Sequence, residues 1–295
     1  MNAFVTAEIL TQPDCWRRAA ALDTISGLPA SGERVAVTGC GTSWFIAMAY
    51  AALREGAGHG VTDAFVASEF PAGREYDAVL AISRSGTTTE VADLLSGLAA
   101  TAPQIRTVAI VGVAGTPIDQ LAGTSIVLDF ADEQSVVQTR YATSTLALLR
   151  AHLGHDVDQI AGDGERALNR PLPEAAVAAE QLTFLGRGWT VGLAHEAALK
   201  NREAAQSWAE SYPAMDYRHG PIAIAAPGRV VWGFGEMPPG LTADVGATGA
   251  DWISGDLDPM AELVVAQRVA VARAQRLGLD ADRPRHLTRS VILDR

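Results

Sequence analysis

Cysteine is nearly absent from this chain: Cys15 and Cys40 are the only two among 295 residues. That excludes a disulfide framework and leaves no Cys/His spacing for a metal site, as suits a reducing cytoplasm. No stretch approaches the ~18 to 20 consecutive apolar residues of a membrane span. The opening MNAFVTAEIL has no basic region ahead of a long apolar run, so no signal peptide is expected. Positive charge is also short: 23 Lys and Arg against 34 Asp and Glu give a net charge of −11. This argues against broad electrostatic binding to nucleic acid or to an anionic membrane surface, so any anionic ligand must be held locally. Charged residues are only 19% and hydrophobic ones 48%, enough apolar material for a large core and enough length for two domains. A soluble, cytoplasmic protein without nucleic-acid or membrane partners is the expectation.

The apolar pattern divides the chain. Ala3 to Ser26 reads as a leader helix, stopped by Gly27 and Pro29. RVAVTGC from Arg34 then reads as a strand ending at a glycine turn, with TSWFIAMAYAALREG as the helix after it. Strands are expected at Val61 to Phe65, up to Ser83, up to Gly112, and in TSIVLDF. Helices are expected from Thr87 to Ala100, in TPIDQLAG, and from Ser135 to Leu153. Alternating strands and helices imply parallel pairing through crossovers, hence an α/β doubly wound sheet flanked by helices. Residues 155–172, rich in Asp, Gly and Pro, read as a linker. A second unit follows, with a helix at Pro173 to Gln181, a strand LTFLG, a strand Val230 to Phe234 ahead of a Pro/Gly-rich loop, a short strand Asp251 to Ile253, and a helix Pro259 to Leu277. That last helix carries Asp258 at N-cap, Pro259 at N1 and Gly278 beyond its end. Aligning VAVTGCGTS with LTFLGRGWT puts Gly39 on Gly186 and Gly41 on Gly188, a weak internal duplication. The tail ends in SVIL, one last strand or extended segment.

Three stretches carry chemistry. Gly39-Cys40-Gly41-Thr42-Ser43-Trp44 is a strand-to-helix turn that matches neither G-x-G-x-x-G nor Walker A, so no nucleotide follows from it. Gly41 permits close approach of a ligand, and Thr42 and Ser43 stand at the positive end of a helix, though ordinary N-capping explains the same residues. Ser83-Arg84-Ser85-Gly86-Thr87-Thr88-Thr89 sets five hydroxyls and an arginine between a buried strand and a helix N-terminus. That is the composition of an anion cradle. A Thr87…Glu90 capping box is the bland alternative, but it needs one hydroxyl rather than five. The third stretch is Leu193 to Pro221, where Glu196, Lys200 and Glu203 fall at i, i+4 and i+7 on one helix face and His219 follows in an HGP turn. A solvated helix face has the same spacing.

Taken in order, AEILTQP, GCGTS, SRSGTTTE, EQSVVQTR, LAHEAALKNRE, RHGP and RPRHLTRSVIL resemble proteins with two SIS (sugar isomerase) domains. The pattern is similar to the isomerase half of glucosamine-6-phosphate synthase and to AgaS-type phosphosugar isomerases and deaminases. The resemblance implies an N-terminal helix over 1–28, SIS domain 1 over 29–154, the linker over 155–172, SIS domain 2 over 173–281, and a C-terminal tail over 282–295 that closes the active site. It implies that Ser43, Ser83, Ser85 and Thr88 hold a sugar phosphate, with Arg84 where the family often has glutamine. It further implies that Glu203 is the base moving a proton between C1 and C2, that Glu196 and Lys200 contact the sugar, and that His219 opens the ring from the neighbouring subunit of a homodimer. Isomerisation of this kind needs one base near both carbons and an acid at the ring oxygen; no metal and no cofactor is required.

Two departures qualify the resemblance. Arg289 stands where the synthase has a Schiff-base lysine, and an arginine stays protonated and forms no imine at neutral pH, although it can bind a sugar hydroxyl or a carboxyl. The chain also shows no glutaminase domain or N-terminal nucleophilic cysteine, so glutamine-dependent amination is not expected of it alone. Aldose-ketose isomerisation, or deamination of a hexosamine 6-phosphate, is the expected activity. The rival from another class is a non-catalytic sugar-phosphate sensor. Against it, the 28 residues before the first unit are too few for a helix-turn-helix, and a sensor needs neither Glu203 nor His219. Lyase chemistry on a sugar ether is the third reading.

Overall fold

The structure, a computed structural model, describes residues 2–23, 27–71 and 73–293. The chain divides into two compact α/β units, neither of them continuous in sequence.

The first unit comprises Asp14–Glu133, Arg140–Val157 and Thr288–Arg295. Its sheet is five-stranded and fully parallel, in the order β2-β1-β3-β4-β5, where β1 is Val35–Gly39, β2 Thr62–Val66, β3 Ala78–Ser83, β4 Arg106–Val111 and β5 Thr124–Val127. β1 and β3 are buried at every position, which explains their largely apolar sequence: a parallel strand covered on both faces has no polar side to show. The edge strands β2 and β5 are half-buried and mix polar with apolar residues. Helices α3 (Thr42–Gly56), α4 (Thr89–Thr101), α5 (Pro117–Leu121) and α6 (Arg140–His152) supply the covering layers.

The second unit comprises Met1–Pro13, Gln134–Thr139 and Asp158–Leu287. Its sheet is parallel as well, in the order β7-β6-β8-β9, with β6 at Gln181–Gly186, β7 at Trp208–Pro213, β8 at Arg229–Phe234 and β9 at Asp251–Ser254. Helix α9 (Thr190–Ala205) packs against α11 (Pro259–Arg276). Asp258 caps α11 by accepting the Met260 N–H at 2.9 Å, and Gly278 follows the helix with φ +68°, so both signals read in the sequence act as expected. The order β7-β6-β8-β9 repeats β2-β1-β3-β4 of the first sheet. Gly41 and Gly188 occupy matching turns with the same φ of +56°, a region that suits glycine and few other residues.

Several elements differ from the sequence expectation. The leader is two helices, α1 (Ala3–Leu10) and α2 (Gln12–Ala20), because Pro13 in the first turn of α2 has no N–H to carry one helix through Thr11. The expected end at Ser26 lies outside the described residues. Residues 157–169, expected as part of a linker, form helix α7 (Val157–Asn169). α6 starts at Arg140 rather than Ser135, because residues 134–135 are held elsewhere. The Gln134 N–H, the Ser135 N–H and the Ser135 hydroxyl all donate to the buried carboxylate of Glu8. The helix expected over 173–181 is only α8 (Glu174–Ala178), since β6 already begins at Gln181. β7 was not expected, because an edge strand reading WAESYP has no clean alternation. The Pro/Gly-rich loop contains α10 (Leu241–Ala247), and the SVIL tail forms no strand.

The N-terminus of α1 is capped from the far end of the chain. Asp282 accepts the Phe4 and Val5 N–H groups at 3.2 and 2.8 Å, and Asn2 Oδ1 accepts the Ala281 N–H at 2.7 Å. This clamp fixes the start of the segment that carries residues 283–287. Asp282→Ala is expected to lower stability by about 1 kcal/mol, the usual loss for a helix cap, measured by urea unfolding. An unchanged midpoint would show that the cap is idle.

Candidate active site

In the first unit the loops after β1 and β3 flank the point where strand order reverses, which is where open parallel sheets hold ligands. Thr42 and Ser43, both buried, form the first turn of α3 after the Gly41 turn. Ser83 ends β3, and its hydroxyl accepts the Gly86 N–H at 3.2 Å. Gly86 has φ +66°, and a side chain there would run into Thr116, whose hydroxyl lies 2.0 Å from the place of a Cβ; only glycine lets the loop close. The N-cap residue of α4 is Thr88 rather than the Thr87 of the capping-box reading, and the Thr88 side chain makes no capping bond.

The tail lies across this loop. Ser290 Oγ is 3.1 Å from Ser85 Oγ and 3.0 Å from Thr87 Oγ1, so three hydroxyls form a triangle. The Thr89 N–H donates to the Val291 carbonyl at 3.2 Å, and the Leu293 N–H to Thr89 Oγ1 at 2.9 Å. Arg84 is buried, with its guanidinium 3.6 Å from the buried Glu133 carboxylate, and it donates to the Arg289 carbonyl at 2.9 Å. The Arg289 side chain pairs with Asp132 and donates to the Glu133 carbonyl. Both arginines are thus engaged by carboxylates of their own unit. These contacts anchor the tail to the loop through Arg289. Cys40, beside the turn, has its thiol pushed up to about 11 by burial and by the nearby Glu90, so it is no thiolate nucleophile at neutral pH.

At the matching turn of the second unit the hydroxyl is engaged by the backbone. Thr190 Oγ1 is bonded to the Phe234 carbonyl and to the Arg187 N–H, each at 2.8 Å, so the hydroxyl that would face an anion is already used. The chemistry of this unit lies on α9 instead. Glu196 and Lys200 are buried to 0% and 1% exposure and Glu203 to 18%, with the Lys200 ammonium 3.4 Å from Glu196 and 2.6 Å from Glu203. This is not the solvated face that the spacing alone permits. An ammonium between two carboxylates holds the Glu203 carboxylate in place and offsets its charge. His195, one residue before Glu196, bonds through Nδ1 to Ser211 at 2.8 Å, and burial pushes its pKa down, so it is a neutral packing histidine.

Glu203 opens onto a cavity of about 360 Å³ lined by Leu199, Arg202, Glu203, Gln206, Ser207, Arg285, His286 and Leu287. Arg285 and His286 were not among the residues singled out in the sequence. The only available signal was their place in RPRHLTRS, four and three residues ahead of Arg289. His219 ends a 3-10 turn, Asp216–His219, exposed to solvent, and is not among the residues that line this cavity. A larger groove of about 700 Å³ on the first unit, lined by Phe70, Tyr76, Leu98 and Ile105, lies at the amino ends of β3 and β4, away from the hydroxyl loop. Among the described residues no group of three or more His, Cys, Asp or Glu is arranged to hold a metal ion, and no helix is long and apolar enough to cross a membrane.

Parallel sheets with a hydroxyl-rich loop at the switch point are the setting in which the comparisons fall. Residues 30–153 match the family described as the SIS domain, and the chain carries one SIS domain in this stretch. The chain is similar to the isomerizing glutamine–fructose-6-phosphate aminotransferase of Gloeobacter violaceus, at 28% identity over 330 residues, covering 91% of this chain and 53% of the relative. It therefore spans about half the length of the curated relatives it matches. Among solved structures, glucosamine-6-phosphate deaminase from Thermotoga maritima superposes with a TM-score of 0.82 at 22% identity, covering 98% of this chain and 99% of the other. Tagatose-6-phosphate ketose/aldose isomerase from Escherichia coli superposes at 0.79 with 18% identity, covering 98% and 95%. At these identities the superpositions show a shared fold.

Proposed function

We propose that the chain is a sugar-phosphate isomerase-type enzyme acting on a hexose or hexosamine 6-phosphate, by aldose-ketose isomerisation or by deamination. The single observation that carries this is the buried Glu196–Lys200–Glu203 array with Glu203 opening onto a cavity: a carboxylate held by an ammonium at a ligand-sized opening is what a proton-moving base requires. The names of the relatives, which concern fructose, glucosamine and tagatose 6-phosphates, support the substrate class.

In this reading Ser43, Ser83, Ser85 and Thr88 hold the phosphate, with the α3 and α4 N-termini contributing their dipoles. Glu203 removes the proton from C2 of the open-chain aldose or from C1 of the ketose. It delivers a proton to the other carbon through an enediol, or through an enolamine when the sugar carries nitrogen, and while it holds the proton that proton can exchange with solvent. Lys200 holds that carboxylate and Glu196 holds Lys200. His219 opens the ring from the neighbouring subunit of a cytoplasmic homodimer. The second sheet, with its repeated strand order, is read as a second SIS domain. Arg289, held by Asp132, forms no imine at that position, and the proton transfer proposed here needs no metal or cofactor.

The test is incubation with glucosamine 6-phosphate, fructose 6-phosphate and tagatose 6-phosphate in D₂O, following deuterium at C1 and C2 by NMR together with ammonium release. Deuterium without ammonium identifies an isomerase, both identify a deaminase, and neither on the whole panel leaves a sensor and refutes the enzymatic reading. Ser85→Ala or Thr88→Ala is expected to raise KM about tenfold or more with kcat nearly kept, because the phosphate is remote from the proton transfer and contributes uniform binding. A pure kcat effect in steady-state kinetics would remove these residues from the phosphate site.

A further inference from the structure

The proposed reaction needs an acid as well as a base, and the histidine that shares a cavity with Glu203 within one chain is His286. We propose that His286 is a catalytic acid-base residue working opposite Glu203, giving and taking the proton at a substrate oxygen while Glu203 moves the proton between carbons. This rests on the isomerase-type reading above.

Three observations converge on it. First, His286 and Glu203 line the same opening of about 360 Å³, a volume that suits a monosaccharide. Second, the backbone of His286 is held in the left-handed region at φ +63°, in a turn closed by the Leu287 N–H donating to the Pro284 carbonyl at 3.4 Å. That is the third position of a four-residue turn, where glycine or asparagine ordinarily stands because a larger side chain raises the energy of the fold. A histidine kept there at a structural penalty, beside the candidate base, is the pattern by which strain accumulates at functional sites. Third, the segment is built to hold its place. Asp282 is bound to two N–H groups of α1, Ala281 to Asn2, and the Asp282 carbonyl accepts the Val136 N–H at 3.0 Å, so the turn starts from a fixed point.

The surroundings suit the role. The charged groups around the cavity are Glu203, bonded to Lys200, together with Arg202 and Arg285. Arg202 already donates to the Ala209 carbonyl at 2.9 Å, and an arginine does not deprotonate in proteins. His286 is exposed at the rim, and its imidazole, with one ring nitrogen to donate and the other to accept, is the side chain of this set that can pass a proton in both directions. The step conserves protons: His286 delivers one to the carbonyl oxygen as Glu203 takes one from carbon, and both return when the product forms.

His286→Asn and His286→Gly separate chemistry from structure, since both replacements fit φ +63° without strain and leave the turn intact. Deuterium exchange into fructose 6-phosphate, glucosamine 6-phosphate and tagatose 6-phosphate is measured for the wild-type chain and both variants, with thermal unfolding alongside. The expected result is a kcat loss of about 100-fold or more in each variant, with KM and melting temperature nearly unchanged, the size usual for removal of an acid-base group. Added imidazole should restore at least about tenfold of that loss in His286→Gly, whose missing ring leaves room for it, and not in His286→Asn. Variants within about threefold of wild type would overturn the assignment while leaving the isomerase reading standing. A loss without imidazole rescue would overturn it in favour of a structural role. A wild-type chain that exchanges no deuterium on any of the three sugars would remove the isomerase reading and this inference with it.

Discussion

Glu203→Gln is expected to lower the rate of C1/C2 hydrogen exchange by about 10²- to 10⁴-fold, the range by which a positioned general base accelerates proton transfer. Glutamine keeps the size and the hydrogen-bonding capacity of glutamate but takes no proton, and Lys200 retains Glu196 at 3.4 Å as a charge partner. The array should therefore stay folded while its chemistry stops. Phosphate affinity, followed by isothermal titration with the sugar phosphate, should change little, because the hydroxyl loop belongs to the other unit. Exchange at the wild-type rate would remove Glu203 from the mechanism. Lost exchange accompanied by lost phosphate binding would point to misfolding instead.

Glu133→Gln is expected to reduce stability by about 3 to 5 kcal/mol, because it leaves the buried Arg84 guanidinium without its carboxylate. Glu133 and Arg84 have side-chain exposures of 0% and 1%, so water cannot replace the missing charge. One function of Glu133 survives the change: its Oε1 accepts the Arg140 N–H at 2.8 Å at the start of α6, and a glutamine oxygen can do the same. The loss is thus assigned to charge rather than to capping. Arg84→Gln combined with Glu133→Gln should recover most of the stability, since removing both charges leaves no unpaired ion. Equal destabilisation of the single and double variants, in urea unfolding, would show that the pair contributes through packing and not through its charges.

Much of the candidate site was legible because its parts are contiguous in sequence. Ser83 to Thr89 is one loop between a strand and a helix. Glu196, Lys200 and Glu203 meet because helical spacing brings i, i+3 and i+4 residues onto one face whatever the rest of the chain does. The central strands were legible for a similar reason: burial on both faces writes a largely apolar run, as in β1 and β3. Edge elements were not, because β7 satisfies water on one side and pairs on the other, which leaves a mixed sequence such as WAESYP. Burial of the charges was equally hidden, since the sequence spacing of Glu196 and Lys200 is the same on a wet surface as in a core.

The remaining gaps concern residues far apart in the chain. Arg289 pairs with Asp132, Ser290 meets Ser85, Asp282 caps α1, and His286 joins the cavity of Glu203. The pairing of Arg289 with Asp132 was not legible, because the two stand 157 residues apart in the chain. By itself the sequence determined the parallel α/β architecture, the hydroxyl loop and the charged face of α9, because strand burial and helical spacing act over a few residues. Only the tertiary structure decided which charges are buried, what the tail residues touch and which histidine stands by Glu203. Those outcomes depend on contacts between residues far apart in the chain, and no local propensity specifies which partners such a closure brings together.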